Sequence, residues 1–133
     1  MKKTIAAALG FTLFATSLGT AQAGYKDSLS VVIDKTNKTA QGYIGTVRNS
    51  ADNVQLLGCS ITVNPSTSFP FTVSCVATDT GGQTVGCYTH NDDLAHMVAG
   101  LNGDSHLQFW WDSSGSCTQI MISTYSNHEP KQP

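Results

Sequence analysis

The clearest pattern in the sequence is HLQFWWD at 106–112, followed by SSGS at 113–116 and CTQIMISTY at 117–125. The outer two segments are rich in alternating apolar and polar residues, and the middle segment is typical of a β-hairpin turn. A two-residue turn at 114–115 brings six residues onto one face, which we expect to be the core side: Leu107, Phe109, Trp111, Thr118, Ile120 and Ile122. Trp110 then points to the opposite face of the hairpin.

Similar short apolar segments, separated by Gly, Pro, Asn and Ser, predict further strands at 29–34, 42–47, 54–63, 69–78 and 84–89. The segment 92–102 has a different period, because its apolar residues fall at i, i+3, i+4 and i+7: Leu94, Met97, Val98 and Leu101. That period predicts a helix, which Asn91 caps. We therefore predict an α+β fold, in which an antiparallel sheet of six to seven strands carries one short helix before the C-terminal hairpin. An all-β sandwich is the alternative.

The first 23 residues have the pattern of a secretory signal peptide. Lys2 and Lys3 precede an apolar run, and the segment ends in AQA at 21–23, a typical cleavage sequence. Cleavage there leaves 110 residues, which is the size of one domain. We predict a single domain at 24–125, a flexible tail at 126–133, and a secreted or periplasmic location.

Charge and hydropathy limit the classes of partner. Without Lys2 and Lys3, five basic residues face nine acidic ones, and the basic residues form no cluster of the kind that binds nucleic acid. No apolar run after the signal peptide is long enough to span a membrane. We therefore predict neither a nucleic-acid partner nor a membrane span in the mature chain.

Four cysteines in an exported chain of this size predict two disulfides. Their spacing contains no C-x-x-C pair, which favours disulfides over a metal site. Three pairings are possible, and we favour Cys59 with Cys75 and Cys87 with Cys117. A hairpin centred near residue 67 sets Cys59 opposite Cys75, and a two-residue turn at 81–82 separates Cys75 and Cys87 onto opposite faces. A three-residue turn ending at Gly82 would instead align those two cysteines.

Aromatic and polar residues near the hairpin form the candidate binding site. Trp110 lies on the outward face of its strand with Gln108 and Asp112 beside it, and Tyr125 lies on the adjoining strand. Together they would form a flat platform for a sugar or a partner side chain. The alternative is that Trp110 is covered by the helix or by the N-terminal strands and simply contributes to the core.

Catalytic chemistry has weaker support in the sequence. His90, Asp92 and His96 could converge on a metal ion or on a proton-transfer site, but their spacing matches no established motif. We assign no catalytic residue and no cofactor. The sequence therefore favours a small non-catalytic binding or inhibitor-like protein acting on a protein or glycan. The alternatives are a small secreted hydrolase with a His/Asp site and a self-assembling, envelope-associated structural module.

Overall fold

The computed structural model describes residues 24–66 and 68–130. The predicted signal peptide at 1–23 and the last three residues of the predicted tail lie outside the described residues. The described part contains seven strands and two short helices, in the order β1 (Val32–Asp34), β2 (Thr39–Tyr43), α1 (Ile44–Asn49), β3 (Leu56–Val63), β4 (Phe71–Thr78), β5 (Thr84–Thr89), α2 (Asp92–Ala99), β6 (His106–Trp111) and β7 (Cys117–Ser123). The predicted β-rich fold is confirmed.

The strands form two antiparallel sheets rather than the single sheet we predicted. One sheet has four strands in the order β1-β2-β6-β7, and the other has three strands in the order β3-β4-β5. Each sheet contributes apolar side chains to one buried cluster, and α2 contributes Ala95 and Val98. The residues that the sheets place in this cluster include Ala40, Leu57, Val73, Cys75, Ala77, Cys87, Leu107, Phe109, Cys117 and Ile120. In the described part of the chain, neither helix has the length and apolarity that crossing a membrane requires.

The two helices differ in how well the sequence predicts them. In α2 the side chain of Asn91 accepts a hydrogen bond from the backbone N–H of Leu94 at 3.0 Å, as a helix cap does. The helix ends at Ala99, three residues before the predicted end, and Gly100 caps it. The strand predicted at 42–47, in contrast, is wrong from residue 44 onward, because β2 ends at Tyr43 and α1 begins at once.

Tertiary contacts explain why the chain turns into α1. The backbone N–H of Ile44 donates to the carbonyl of Ser105, and the backbone N–H of Leu29 donates to the Thr46 hydroxyl. Gly45 lies so close to Glu129 that an added Cβ would be 1.8 Å from the Glu129 carbonyl oxygen. Residues distant in sequence therefore determine this helix.

The C-terminal hairpin has the predicted pairing over most of its length, with Leu107 opposite Ile122 and Phe109 opposite Ile120. Its turn, however, is one residue longer than predicted, since Gly115 lies in the left-handed region at φ 80° and Asp112 pairs with Ser116. Trp111 is consequently opposite Cys117 rather than Thr118. A bulge at Trp110/Trp111 restores the predicted register for the remaining pairs.

Both favoured disulfides are present, and they join Cys59 to Cys75 and Cys87 to Cys117. The first joins direct cross-strand partners of β3 and β4, as the hairpin centred near residue 67 predicts. The two-residue turn predicted at 81–82, which favoured the same pairing, is wrong. The observed turn has three residues and ends at Gly82, at φ 79°. Cys75 and Cys87 are therefore direct cross-strand partners too. The two bridges consequently lie next to each other.

Residues 126–130, the described part of the tail that we predicted, contact the domain at several points. His128 is 5% exposed and forms a parallel bridge with Asp27 near the start of the domain. The Glu129 carboxylate accepts hydrogen bonds from the side chains of Thr46 and Asn49, at 2.9 and 3.2 Å. We call residues 125–130 the C-terminal segment, and these contacts dock it against α1.

Candidate functional site

The candidate site is the face of the four-stranded sheet that points away from the core, which we call the outer face. Because side chains alternate along a strand, the neighbours of buried Ala40, Phe109 and Ile120 point outward. The cross-strand pairing arranges them in three rows. These rows are Asp34, Thr39, Trp110 and Gln119; Val32, Gln41, Gln108 and Met121; and Tyr43, His106 and Ser123.

Trp110 lies in the first row, on one of the two central strands. Its direct partners are Thr39 on β2 and Gln119 on β7, so polar side chains flank the indole on both sides. The side-chain amide of Gln108 donates to the Thr39 hydroxyl at 3.1 Å, which fixes the amide close to the indole. Trp110 is partly buried and Gln119 is exposed. The ring is thus held by a rigid strand while part of its surface faces solvent.

The first two rows contain one charged side chain, that of Asp34 on the edge strand β1. They present amides, a hydroxyl and apolar side chains, with Val32 46% and Met121 37% exposed. At the edge of the first row, Asp34 accepts hydrogen bonds from the backbone of Thr36 and from the backbone and side chain of Asn37. These bonds, above all those from Asn37, lower the pKa of Asp34. That carboxylate belongs to the β1–β2 turn.

Asp112 and Tyr125, the other two predicted site residues, lie elsewhere. Asp112 accepts hydrogen bonds within the hairpin turn from the hydroxyl of Ser114 and from the backbone N–H groups of Ser114 and Ser116. Those bonds, with the Ser114 hydroxyl first, lower its pKa. Tyr125 is 67% exposed beyond the end of β7, on the far side of the third row from Trp110. The structure therefore brings Trp110 and Gln108 together, but not all four residues.

The third row carries a cluster of aromatic side chains that the sequence analysis missed. Tyr43 stacks on His128 with ring centroids 4.5 Å apart, and it contacts His106 edge-on at 5.3 Å. Tyr125 contacts the other side of His128, also at 5.3 Å. Tyr43 and His128 are 85 positions apart in sequence, so no local pattern indicates this contact.

The environment of this cluster favours the neutral forms of His106 and Tyr43. Burial lowers the pKa of His106, and the nearby His128 lowers it further. Burial also raises the pKa of Tyr43, whose hydroxyl donates to the Asp27 carboxylate at 3.1 Å. Tyr43 and His106 both contact the ring of His128, and they thereby hold the C-terminal segment on the sheet.

The residues of the alternative metal site are all exposed and lie apart. The ring of His90 stacks on Phe69 at 4.3 Å, and its Nδ1 lies 2.8 Å from the carbonyl oxygen of Phe71. Asp92 and His96 lie on α2. Within residues 24–66 and 68–130, the ligand atoms of these three residues do not all lie within 4.8 Å of one another. The candidate ligand atoms that do so are sulfurs of Cys75, Cys87 and Cys117, which the disulfides already occupy.

A hollow of about 380 Å³ lies away from the outer face, between α1, β3 and the loop after α2. Its lining includes Ile44, Val47, Leu57 and Leu101, with Arg48 as its charged residue. None of the predicted site residues lines it. Arg48 is the one arginine of the chain.

Comparison with known proteins yields no matching family model, no matching curated protein and no matching solved structure.

Proposed function

We propose that this chain is an exported, non-catalytic binding protein whose outer face binds a neutral glycan through Trp110. The observation that supports the proposal is the position of Trp110, which is fixed on a central strand between the polar side chains of Thr39 and Gln119. An indole gives sugar C–H groups a flat apolar surface, and the charged side chain in the two surrounding rows is that of Asp34, which lies on the edge strand and accepts hydrogen bonds from the β1–β2 turn. A neutral ligand suits such a surface better than a charged one.

The side chains around the indole supply the specificity that stacking lacks. Each glutamine amide has two N–H donors and one carbonyl acceptor, and a threonine hydroxyl donates and accepts. Sugar hydroxyls likewise donate and accept, so Gln41, Gln108 and Gln119 could each pair with them. Because the strands fix the backbone under these residues, little backbone entropy is lost on binding.

Two disulfides are consistent with an extracellular or otherwise oxidising compartment, where glycans of the cell envelope or the medium are available. Export itself belongs to the proposal, since its sequence signal lies at 1–23, outside the described residues. The mass of the N-terminus of the protein recovered from periplasm or medium tests this part separately. A chain that begins at Gly24 supports export, and a chain that retains 1–23 contradicts it.

Calorimetric titration with cellohexaose, chitohexaose and heparin tests the glycan proposal. We expect at least one neutral oligosaccharide to bind the wild-type protein, and Trp110→Ala to abolish that binding. Trp111→Phe is the matched control, because Trp111 packs against the core from the other side of the same strand. Binding that survives Trp110→Ala, or binding of heparin alone, would contradict the proposal.

A further inference from the structure

The two disulfides meet in one row of the three-stranded sheet. Cys59, Cys75 and Cys87 are direct partners across β3, β4 and β5. Cys87 is bridged to Cys117 of the other sheet. The sulfur atoms of Cys75, Cys87 and Cys117 all lie within 4.8 Å of one another. Cys75 therefore has two bridges within reach, although it belongs to one of them.

We propose that Cys75 is a branch point for thiol–disulfide exchange. When a small thiol opens the Cys59–Cys75 bridge, the released Cys75 thiolate opens the Cys87–Cys117 bridge in turn. The proposal rests on these sulfur positions and on the different exposure of the cysteines. It is independent of the proposed glycan site.

The exposure of the cysteines determines where an external thiol attacks. Cys75, Cys87 and Cys117 are 2%, 6% and 5% exposed, whereas Cys59 is only partly buried. A thiolate of low molecular weight, such as glutathione, therefore attacks the sulfur of Cys59. A bond forms between the glutathione sulfur and Cys59, the Cys59–Cys75 bond breaks, and its electron pair leaves with Cys75 as a thiolate.

The released thiolate is positioned for a second exchange. Reaction needs an approach to about 3–3.5 Å, so a movement of roughly 1–2 Å brings the Cys75 sulfur into contact with the Cys87 sulfur. A Cys75–Cys87 bond then forms, the Cys87–Cys117 bond breaks, and Cys117 leaves as a thiolate that takes a proton from water. One thiolate is consumed and one is produced, so the sequence requires no oxidant.

The strand register favours the product of this exchange. In an antiparallel sheet a residue forms a hydrogen-bonded pair with one neighbouring strand and a non-hydrogen-bonded pair with the other. Cys59 and Cys75, with Cα atoms 4.0 Å apart, form the closer kind of pair. Cys75 and Cys87 then form the wider kind, with Cα atoms about 5.5 Å apart, which lies within the usual disulfide range.

After the exchange, no disulfide joins the two sheets. The Cys87–Cys117 bridge joins β5 of one sheet to β7 of the other, whereas a Cys75–Cys87 bridge stays inside one sheet. Backbone contact between β5 and the β6–β7 turn remains, because the N–H of Tyr88 donates to the carbonyl of Gly115 at 3.1 Å. The exchange thus removes a covalent tether between the sheets at a site distant in sequence from the attacked cysteine.

The test compares two single variants after alkylation of free thiols and peptide mapping under non-reducing conditions. Cys59→Ser leaves Cys75 free beside the second bridge, and we expect alkylation of Cys117 together with a Cys75–Cys87 peptide. Cys75→Ser is the control, because it leaves Cys59 free without the branch-point sulfur, and we expect an intact Cys87–Cys117 bridge. Cys117 alkylation no higher in Cys59→Ser than in Cys75→Ser would overturn the proposal.

The wild-type protein provides a second measurement that does not depend on the folding of a variant. After brief treatment with reduced glutathione, we expect molecules with one glutathione on Cys59 to carry the free thiol on Cys117. Molecules with glutathione on Cys59 and the free thiol on Cys75 alone would show that no transfer occurs.

Discussion

The ring of Tyr43 stacks on the ring of His128, with centroids 4.5 Å apart and planes inclined at 26°. This contact joins the end of β2 to the C-terminal segment, and it covers one end of the outer face. His128 also bridges to Asp27, so one histidine connects the two ends of the described chain.

His128→Ala should lower the free energy of unfolding by about 1–2 kcal/mol, because it removes the stacked ring and exposes one face of Tyr43. Urea unfolding followed by circular dichroism measures the change. His96→Ala is the matched control, since His96 is exposed on α2, and it should leave the midpoint nearly unchanged. Equal effects of the two substitutions would show that the Tyr43–His128 contact adds no stability.

Gly45→Ala should displace the C-terminal segment, because the new Cβ would meet the carbonyl oxygen of Glu129 at 1.8 Å. A backbone atom cannot rotate away as a side chain can, so we expect a loss of about 1–3 kcal/mol. Hydrogen exchange at residues 126–130 should become faster. Gly58→Ala is the control, since its Cβ would have no neighbouring atom within 4 Å. Unchanged exchange in Gly45→Ala would contradict this account of the docking.

Acid should destabilise the protein through His106. Burial, followed by the charge of His128, holds its pKa below the ordinary value of 6.5, so unfolding takes up a proton as the pH falls below that value. Stability is therefore retained above about pH 6.5 and is lost as the pH falls through the lower pKa of the folded state. Urea midpoints at about pH 8 and about pH 5 should differ less in His106→Gln than in the wild type. An equal difference in both proteins would refute this assignment.

Removing both cysteines of the bridge that closes the longer loop should destabilise the protein more than removing those of the other bridge. The Cys87–Cys117 bridge closes 30 residues and the Cys59–Cys75 bridge closes 16. A disulfide stabilises the protein by restricting the entropy of the unfolded chain. Its removal should therefore lower the free energy of unfolding by about 3.5 kcal/mol in Cys87→Ser/Cys117→Ser and by about 3 kcal/mol in Cys59→Ser/Cys75→Ser. Thermal unfolding measures both values, and the double variants avoid the free thiols that would permit exchange. A larger loss in the Cys59→Ser/Cys75→Ser variant would contradict the loop-length argument.

Gln119→Ala should weaken the binding of a neutral oligosaccharide by roughly 3- to 10-fold, the effect of one lost hydrogen bond. Gln119 is exposed beside Trp110, so its truncation should not change the thermal midpoint. Gln83→Ala is the matched control, because Gln83 lies in the β4–β5 turn of the other sheet. Calorimetry that gives equal affinities for both variants would remove Gln119 from the site.

Local patterns predicted much of the secondary structure and one disulfide register. The strand at 84–89 has the predicted bounds, and the alternation around Phe109 correctly placed it opposite Ile120. The hairpin centred near residue 67 correctly paired Cys59 with Cys75. These features depend on residues close together in the chain, where turn residues and strand period carry the information.

Long-range contacts account for what the sequence did not reveal. The segment 44–49 is a helix because Ser105 and Glu129 meet it, and neither is near it in sequence. The division into two sheets and the contact of Tyr43 with His128 arise in the same way. Trp110 shows both sources. Alternation placed its side chain opposite the core, while the packing of the sheets left part of the ring open to solvent. Periodicity describes each segment, but burial depends on which segments meet, and only the assembled chain determines that.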